Sequence, residues 1–402
     1  MTVTVYPGRT VGTAEAPPSK SLGHRALITA GLAEGTSVIR KIADSEDMLA
    51  TMDCLRALGA VSEKQGDTVT VTGGGVQTEE ALFPCRESGS TLRLLMPAAL
   101  VRRGEAVFTG TPRLMTRGIG VYEELFKQKQ ITAEKSERGI TVRGTLTPGD
   151  YTVRGDVSSQ FISGLLLALP LLDGDSRLTV TEPVESRPYI DLTLGAMADA
   201  GVNVKTEENV FIIPGSQKYQ PIASAVEGDW SNGAFLLALN ALGGNVTVTG
   251  LNEDSRQGDR VAKPMLEALA AGDAQLDLAD CPDLAPVLFA VAAAKHGGTF
   301  TGTRRLKIKE SDRAEAMKEE LKKLGIRVDV EENTVRVFPG SLHAPTEPLS
   351  GHNDHRIVMA LALLLTLVGG SITGAEAVKK SYPEFFAVLQ KLNIEVDYGT
   401  EN

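Results

Sequence analysis

Residues Phe161–Val180, FISGLLLALPLLDGDSRLTV, run from an apolar helical stretch through Gly174 into the β-prone segment Asp175–Val180. The same order recurs five more times: Ala26–Gly35 before Thr36–Arg40, Leu92–Gly104 before Glu105–Thr109, Ala234–Gly244 before Asn245–Thr249, Ala285–Gly298 before Thr299–Thr301, and Ile357–Gly370 before Ser371–Thr373. The glycines at 35, 104, 174, 244, 298 and 370 are spaced 69, 70, 70, 54 and 72 residues apart. A period this regular marks one supersecondary unit used six times.

A second, amphipathic helix follows most copies, over Asp44–Leu58, Pro188–Ala200, Asp312–Leu324 and Pro383–Leu392. Three of these stop at Gly59, Gly201 or Gly325, the residue type that takes a left-handed conformation after a helix end. Hairpins come next: Val202–Lys205 with Val210–Ile213 across Thr206–Asn209, and Arg327–Val330 with Val335–Phe338 across Glu331–Thr334. The unit therefore reads β-α-β-α-β-β. The copy after Gly244 runs from Leu276 into Cys281-Pro282-Asp283 without a returning strand, which accounts for its short step. The last copy ends at Glu395-Val396-Asp397, also without a return. Thr2–Tyr6 with Pro7-Gly8 echoes Val335–Phe338 with Pro339-Gly340, so the N-terminal strand is expected to complete the last copy.

One core does not grow to this size, because cores stop near about 250–300 residues. An α/β chain of two domains follows, with three units in each. Residues 1–17 plus 227–402 form a discontinuous domain, and residues 18–226 a continuous one. The crossings fall near Pro17-Pro18 and near Pro221–Glu227, a two-strand hinge with the active site expected in the cleft between the domains.

Composition excludes several classes. Hydrophobic residues at 42% suffice for real cores, and 23% charged residues is ordinary. The longest apolar run, Ile357–Val368, is too short to span a bilayer, and no charged-then-apolar leader opens the chain. Cys54, Cys85 and Cys281 form no CxxC pair, which argues against a zinc site or disulfide framework and fits a reducing cytoplasm. A net charge of −10 opposes nucleic-acid binding. His24, His343, His352 and His355 show no metal-ligand spacing, and Gly73-Gly74-Gly75 lacks the Lys-Ser/Thr of a phosphate loop and reads as a turn.

Polar chemistry gathers where the apolar helices start: Ser19-Lys20-Ser21 with Arg25, Glu87-Ser88-Gly89-Ser90-Thr91-Leu92-Arg93, Ser158-Ser159-Gln160, Glu227-Gly228-Asp229-Trp230-Ser231-Asn232, Asp283, and Asn353-Asp354-His355-Arg356. Ser, Asp and Asn suit N-caps, and Asp283 is read as one. Cations there oppose the helix dipole unless an anion shares the site. Lys20 with Arg25, and Arg356, repeat that conflict at matching positions, which points to anion binding. Four further repeat-equivalent turns, around Arg113–Arg117, Ser186–Tyr189, Lys307–Arg313 and Lys379–Pro383, bring cations or hydroxyls to one edge of the units. A basic focus on an acidic chain suggests a small polyanionic substrate.

At these positions the sequence resembles the enolpyruvyl transferases, in the branch that acts on shikimate 3-phosphate. The resemblance covers essentially the whole chain and rests on Pro18-Ser19-Lys20-Ser21 with Arg25, Ser88-Gly89-Ser90, Pro112-Arg113 with Arg117, Ser158-Ser159-Gln160-Phe161, and Ser186-Arg187-Pro188-Tyr189-Ile190. It continues through Glu227-Gly228-Asp229, Pro282-Asp283, Lys309-Glu310-Ser311-Asp312-Arg313, Asn353-Asp354-His355-Arg356 and Lys380-Ser381-Tyr382-Pro383. It implies the two-domain inside-out α/β barrel of six βαβαββ units. It also implies transfer of the enolpyruvyl (carboxyvinyl) group of phosphoenolpyruvate to the 5-hydroxyl of shikimate 3-phosphate, through a tetrahedral intermediate, with release of phosphate. That step serves the shikimate pathway to chorismate and the aromatic amino acids. A cytoplasmic monomer is expected, with these two small-molecule substrates and without cofactor, metal, nucleic-acid or membrane partner.

Carried over residue by residue, Lys20, Ser21, Arg25, Ser158, Ser159, Gln160, Ser186, Tyr189, Asp283 and Lys309 resemble the shikimate-phosphate contacts. Lys20, Gly89, Arg117, Gln160, Arg313, Arg356 and Lys380 resemble the phosphoenolpyruvate contacts. Asp283, Glu310 and Lys20 stand at catalytic positions, Asp283 as base toward the 5-hydroxyl and Glu310 as the group exchanging a proton with the methylene carbon. Glu87, Ser90, Leu94, Gly118 and Arg305 depart from the family pattern, which bears on affinity and on inhibition by glyphosate. The alternative is the sister enzyme acting on UDP-N-acetylglucosamine; that branch places a reactive Cys in the loop matching Arg113–Arg117, where this chain has none.

Overall fold

The computed structural model describes residues 1–75, 81–137 and 139–399. By internal contacts the chain divides into two compact units, residues 18–227 and residues 1–17 with 228–402. Glu227, expected with the discontinuous part, falls instead with the continuous one. Its carbonyl accepts the Ser19 amide at 2.9 Å, tying it to the first helix of that unit.

Residues 18–227 build three four-stranded sheets of one topology. Their strand orders are Ala223–Ala225, Gly35–Arg40, Thr68–Gly73, Val61–Gln65; Leu82–Pro84, Glu105–Thr109, Gly139–Arg143, Thr132–Ser136; and Gly149–Arg154, Ser176–Thr181, Val210–Ile213, Lys205–Glu207. In each, the first pair is parallel and the rest antiparallel. The helices Lys20–Leu32, Gly89–Arg102 and Ser159–Ala168 are buried on nearly every side, as expected of helices that are apolar all round. The strands instead alternate buried and accessible positions, as in Thr68–Gly73. The helices are therefore inside and the sheets outside, in a single apolar core. One hairpin differs from expectation: its first strand is Lys205–Glu207, not Val202–Lys205. Glu208 takes φ 52°, which tightens the connection to two residues and starts the pairing later.

The other unit has its own apolar core around Trp230–Ala241, Ala285–Ala294 and His355–Val368. Its sheets run Ala274–Asp277, Gly298–Thr301, Thr334–Val337, Val328–Val330 and Leu349–Ser350, Gly370–Thr373, Thr2–Val5, Val396–Tyr398. Thr2–Val5 lies between the last two strands of the chain and pairs antiparallel with both, occupying the place that Thr334–Val337 holds in its sheet. The copy without a returning hairpin leaves a two-stranded sheet, Asn245–Thr249 parallel to Val11–Glu15. Two strands are thus exchanged: Val11–Glu15, which precedes the first repeat helix, serves the fourth copy, and Ala223–Ala225, which precedes the fourth, pairs with Gly35–Arg40 of the first.

Candidate active site

In residues 18–227 the three repeat helices start behind Ser19, Ser88 and Ser158, whose hydroxyls accept the amides of Leu22, Thr91 and Gln160. Lys20 opens its helix with Nζ 2.9 Å from Asp47 Oδ2, both side chains nearly buried. Asp47 comes from the first turn of Glu46–Ala57, where a carboxylate also complements the helix dipole. Arg25 is buried, and its bonds run to neutral groups. Nε donates to Thr193 Oγ1 at 2.7 Å, Nη1 to the Ser21 carbonyl at 2.8 Å, and Nη2 to the Tyr189 carbonyl at 2.8 Å and to Ser163 Oγ at 3.5 Å. Burial lowers its pKa to about 10, with Tyr189 opposing. Arg25, Ser21 and Tyr189 are therefore assembled in one place. Ser186, three residues before Tyr189, is buried and in the left-handed region at φ 58°, opening the helix Arg187–Asp199.

A second group forms around Gln160. Its Oε1 accepts Arg93 Nη1 at 2.8 Å and its Nε2 donates to Ser90 Oγ at 2.9 Å, fixing the amide from both ends. Arg93 lies over the Phe161 ring, 5.1 Å from its centre. Gly89 is pressed against Arg117: a Cβ built on it would stand 3.2 Å from both terminal guanidinium nitrogens. Arg117 Nε is buried and has no hydrogen-bond partner among the described residues. Ser158 caps the Ser159–Ala168 helix and Ser159 is buried beside it.

The other unit holds a compact ionic cluster. Arg313, 1% exposed, donates Nη1 to Asp283 Oδ1 at 2.8 Å, Nη2 to Glu310 Oε2 at 2.8 Å and Nε to Asp354 Oδ2 at 2.9 Å. Arg356 Nη2 meets Asp283 Oδ2 at 2.9 Å and its Nη1 meets Ser231 Oγ at 2.5 Å. Lys309 Nζ approaches Asp283 Oδ1 at 3.3 Å, and Lys380 Nζ donates to the Asn353 carbonyl at 2.5 Å. Asp354 also caps its helix by accepting the Arg356 amide, and takes Ser311 Oγ at 3.1 Å.

These contacts set the charges. Burial pushes the Asp283 carboxyl up, but Arg356, Lys309 and Arg313 outweigh it and hold the group well below the usual carboxylate range. Burial lowers the Lys309 ammonium, with Arg313 and Arg305 adding to the shift and Asp283 and Glu310 opposing it. Arg313 is raised despite its burial, because Asp354, Glu310 and Asp283 surround it.

One expectation is corrected. Asp283 is not an N-cap: it lies inside the short 3-10 turn Pro282–Leu284, and its carboxylate faces three cations instead. Two of the cations at helix starts also meet carboxylates of the protein, Lys20 with Asp47 and Arg356 with Asp283. Sequence reasoning passed over Asp47 and Arg93. An acid in a first turn reads as dipole complement, and an arginine inside a motif reads as a ligand contact, so neither signals that it orients Lys20 or Gln160. Among the departures, Leu94 is buried core, Arg305 is buried with Nη2 on the Ala279 carbonyl, and Gly118 takes φ 67°, which proline cannot.

The EPSP synthase model (3-phosphoshikimate 1-carboxyvinyltransferase) matches residues 6–389. The chain belongs to the EPSP synthase family. Relatives named 3-phosphoshikimate 1-carboxyvinyltransferase include one from Clostridium kluyveri, 39% identical over 98% of both chains. Another, from Clostridioides difficile, is 36% identical over 98% of both chains. Among solved structures, EPSP synthase from Acinetobacter baumannii superposes with a TM-score of 0.77 at 23% identity, covering 99% of this chain and 100% of that one. The enolpyruvyl transferase NikO from Streptomyces tendae gives 0.78 at 16% identity, covering 100% of this chain and 99% of the other. These two likenesses establish the enolpyruvyl transferase fold. Among the described residues no helix is long and apolar enough to cross a membrane.

Proposed function

We propose that the chain transfers the enolpyruvyl group of phosphoenolpyruvate to the 5-hydroxyl of shikimate 3-phosphate, the reaction of the family to which it belongs. The observation that carries the residue roles is the cluster of Arg313, Arg356 and Lys309 with Asp283, Glu310 and Asp354. A plain anion binder gains nothing from three carboxylates among its cations; a site that must move protons does.

Arg117, Arg313, Arg356 and Lys380 supply forks and a point charge for the carboxylate and phosphate of phosphoenolpyruvate. Ser21, Arg25, Ser158, Ser159, Ser186, Tyr189 and Lys309 hold shikimate 3-phosphate, and Gln160, pinned between Arg93 and Ser90, serves both substrates with Lys20. Glu310 delivers a proton to C3, C2 becomes electron-deficient, and the 5-oxygen attacks C2 while Asp283 accepts the hydroxyl proton. The ketal that forms carries a methyl group and the phosphate. Glu310 then takes a proton back from the methyl carbon, the double bond re-forms, and the C2–O bond to phosphate breaks, the phosphate leaving with the proton that Asp283 had taken from the hydroxyl. The geometry adds a trigger. With Asp283 paired to Arg356, Lys309 and Arg313 it is a poor base. Substrate anions that draw these cations away restore its basicity when it is needed.

A cytoplasmic monomer is part of this reading; the three cysteines are free and buried, which suits a reducing compartment. The test is phosphate release from phosphoenolpyruvate with shikimate 3-phosphate or UDP-N-acetylglucosamine as acceptor. Release with the first alone is expected, and release with the second alone overturns the assignment.

A further inference from the structure

The helix Arg313–Lys323 carries two buried charged side chains seven residues apart, Arg313 and Glu320, and so two turns apart on one face. Both grip the same short segment. Arg313 holds Asp354, as above. Glu320, whose side chain is 0% exposed, accepts the Ser350 amide on Oε2 at 2.9 Å and His352 Nε2 on Oε1 at 2.9 Å. Between those two grips the backbone is unfavourable. His352 and Asn353 take φ 47° and φ 52° in succession; histidine and asparagine enter the left-handed region more readily than most residues, but as single residues, and two in a row need the surroundings to hold them. The Asn353 carbonyl presented by this turn accepts Lys380 Nζ, and Asp354 and Arg356 follow directly.

We infer that Glu320 and His352 are positioning residues for the phosphoenolpyruvate-side cations: their bond fixes the left-handed turn that sets Lys380 and Arg356. This rests on the assignment of Arg356 and Lys380 to phosphoenolpyruvate. Glu319, Glu320 and His352 together have the composition of a metal site. The cation among them is already the protein's own, because Lys323 Nζ lies 3.1 Å from Glu320 Oε1. Glu319 stands 4.0 Å from His352 Nε2, and Glu347 faces Lys323 at 3.7 Å. Removal of the imidazole leaves Glu320 bonded to Lys323 and Ser350, so the fold should tolerate it.

The experiment compares His352→Ala, His352→Gln and Arg356→Ala in the full-length protein. His352→Ala should raise KM for phosphoenolpyruvate about 10-fold, less than the roughly 10²-fold that an ångström of misplacement can cost. Affinity for shikimate 3-phosphate alone should stay within a factor of about 2, and kcat should change less than KM. His352→Gln, which restores an N–H donor, should recover most of the loss. Arg356→Ala in the same assay reports on the underlying assignment. If it raises KM and His352→Ala does not, the positioning role is wrong. If neither raises KM, the assignment fails and the inference with it. Equal loss toward both substrates in His352→Ala, or no rescue by His352→Gln, also overturns the role.

Discussion

Replacing Gly89 by alanine separates stability from binding, and the two should move in opposite directions. The new Cβ would lie 3.2 Å from Nη1 and Nη2 of Arg117 and 3.3 Å from its Cζ, against a comfortable carbon contact of about 3.5–4.0 Å. The guanidinium must therefore retreat by a few tenths of an ångström, enough to spoil one arm of a bidentate grip on an anion. A hydrogen bond to a charged group contributes about 1.5–3 kcal/mol. Losing one arm should weaken phosphoenolpyruvate binding by about 10- to 150-fold, at about 1.4 kcal/mol per factor of ten. Alanine at the first position of Gly89–Arg102 has a higher helix propensity than glycine, by at most about 1 kcal/mol, so thermal stability should hold or rise. Initial rates against phosphoenolpyruvate, calorimetric titration with shikimate 3-phosphate and a melting curve make the assay. In an Arg117→Ala background the second change should add almost nothing, because the two residues act as one unit. An unchanged KM, or full additivity in the double variant, would refute the reasoning.

Glu310→Gln should cut turnover by about 10²–10⁴-fold and slow deuterium entry into the product methylene in heavy water to the same degree. Wild-type exchange in that variant would move the proton to another group. Asp283→Ala should lose turnover and also strand Arg356, Lys309 and part of Arg313 without their carboxylate, so its melting point should fall, unlike that of Glu310→Gln. Lys20→Ala should damage turnover more than Arg25→Ala, whereas Arg25→Ala should lose more stability, since it removes bonds to Ser21, Ser163, Tyr189 and Thr193; kinetics and urea unfolding give the two rankings. The Glu320–His352 pair should show in the pH dependence of stability. Its bond to Glu320 raises the His352 pKa above the usual value, though burial opposes it and Lys323 repels; bonds to His352, Ser350 and Lys323 lower Glu320 against the effect of burial. The histidine's contribution is complete below its unfolded-state value near 6.5 and is lost as pH rises through the raised one; the carboxylate's is complete above about 4.3 and is lost as pH falls through the lowered one. The melting-point gap between wild type and His352→Gln should thus be widest near pH 5–6, at about 2–4 °C for each kcal/mol, and close toward pH 9. A gap that widens with pH contradicts the pairing.

What the sequence made legible follows a physical division. Helix and strand positions inside each copy came from local periodicity, and even the placement of Thr2–Val5 was readable, because its alternation and the following Pro7-Gly8 copy those of Thr334–Val337 and Pro339-Gly340. The exchange of Val11–Glu15 and Ala223–Ala225 was not, since a strand's partner over hundreds of residues leaves no mark on its own pattern. The site divided in the same way. Cations at helix starts stood out by opposing the dipole, whereas their partners did not. Asp47 and Glu320 sit in ordinary amphipathic helices, and only tertiary packing shows that one holds Lys20 and the other the turn before Asp354. Asp283 misled because the residue type that caps a helix is also the type that balances a group of cations.

The order in which strands meet their partners also bears on synthesis. Residues 18–227 contain every strand of their three sheets, so that unit can close once Ala223–Ala225 has left the ribosome. Val3 and Val5, fully buried in the finished sheet, must wait for Gly370–Thr373 and Val396–Tyr398, made more than 360 residues later. For most of translation the first strand is therefore an unpaired apolar edge, the kind of surface on which nascent chains aggregate or recruit chaperones.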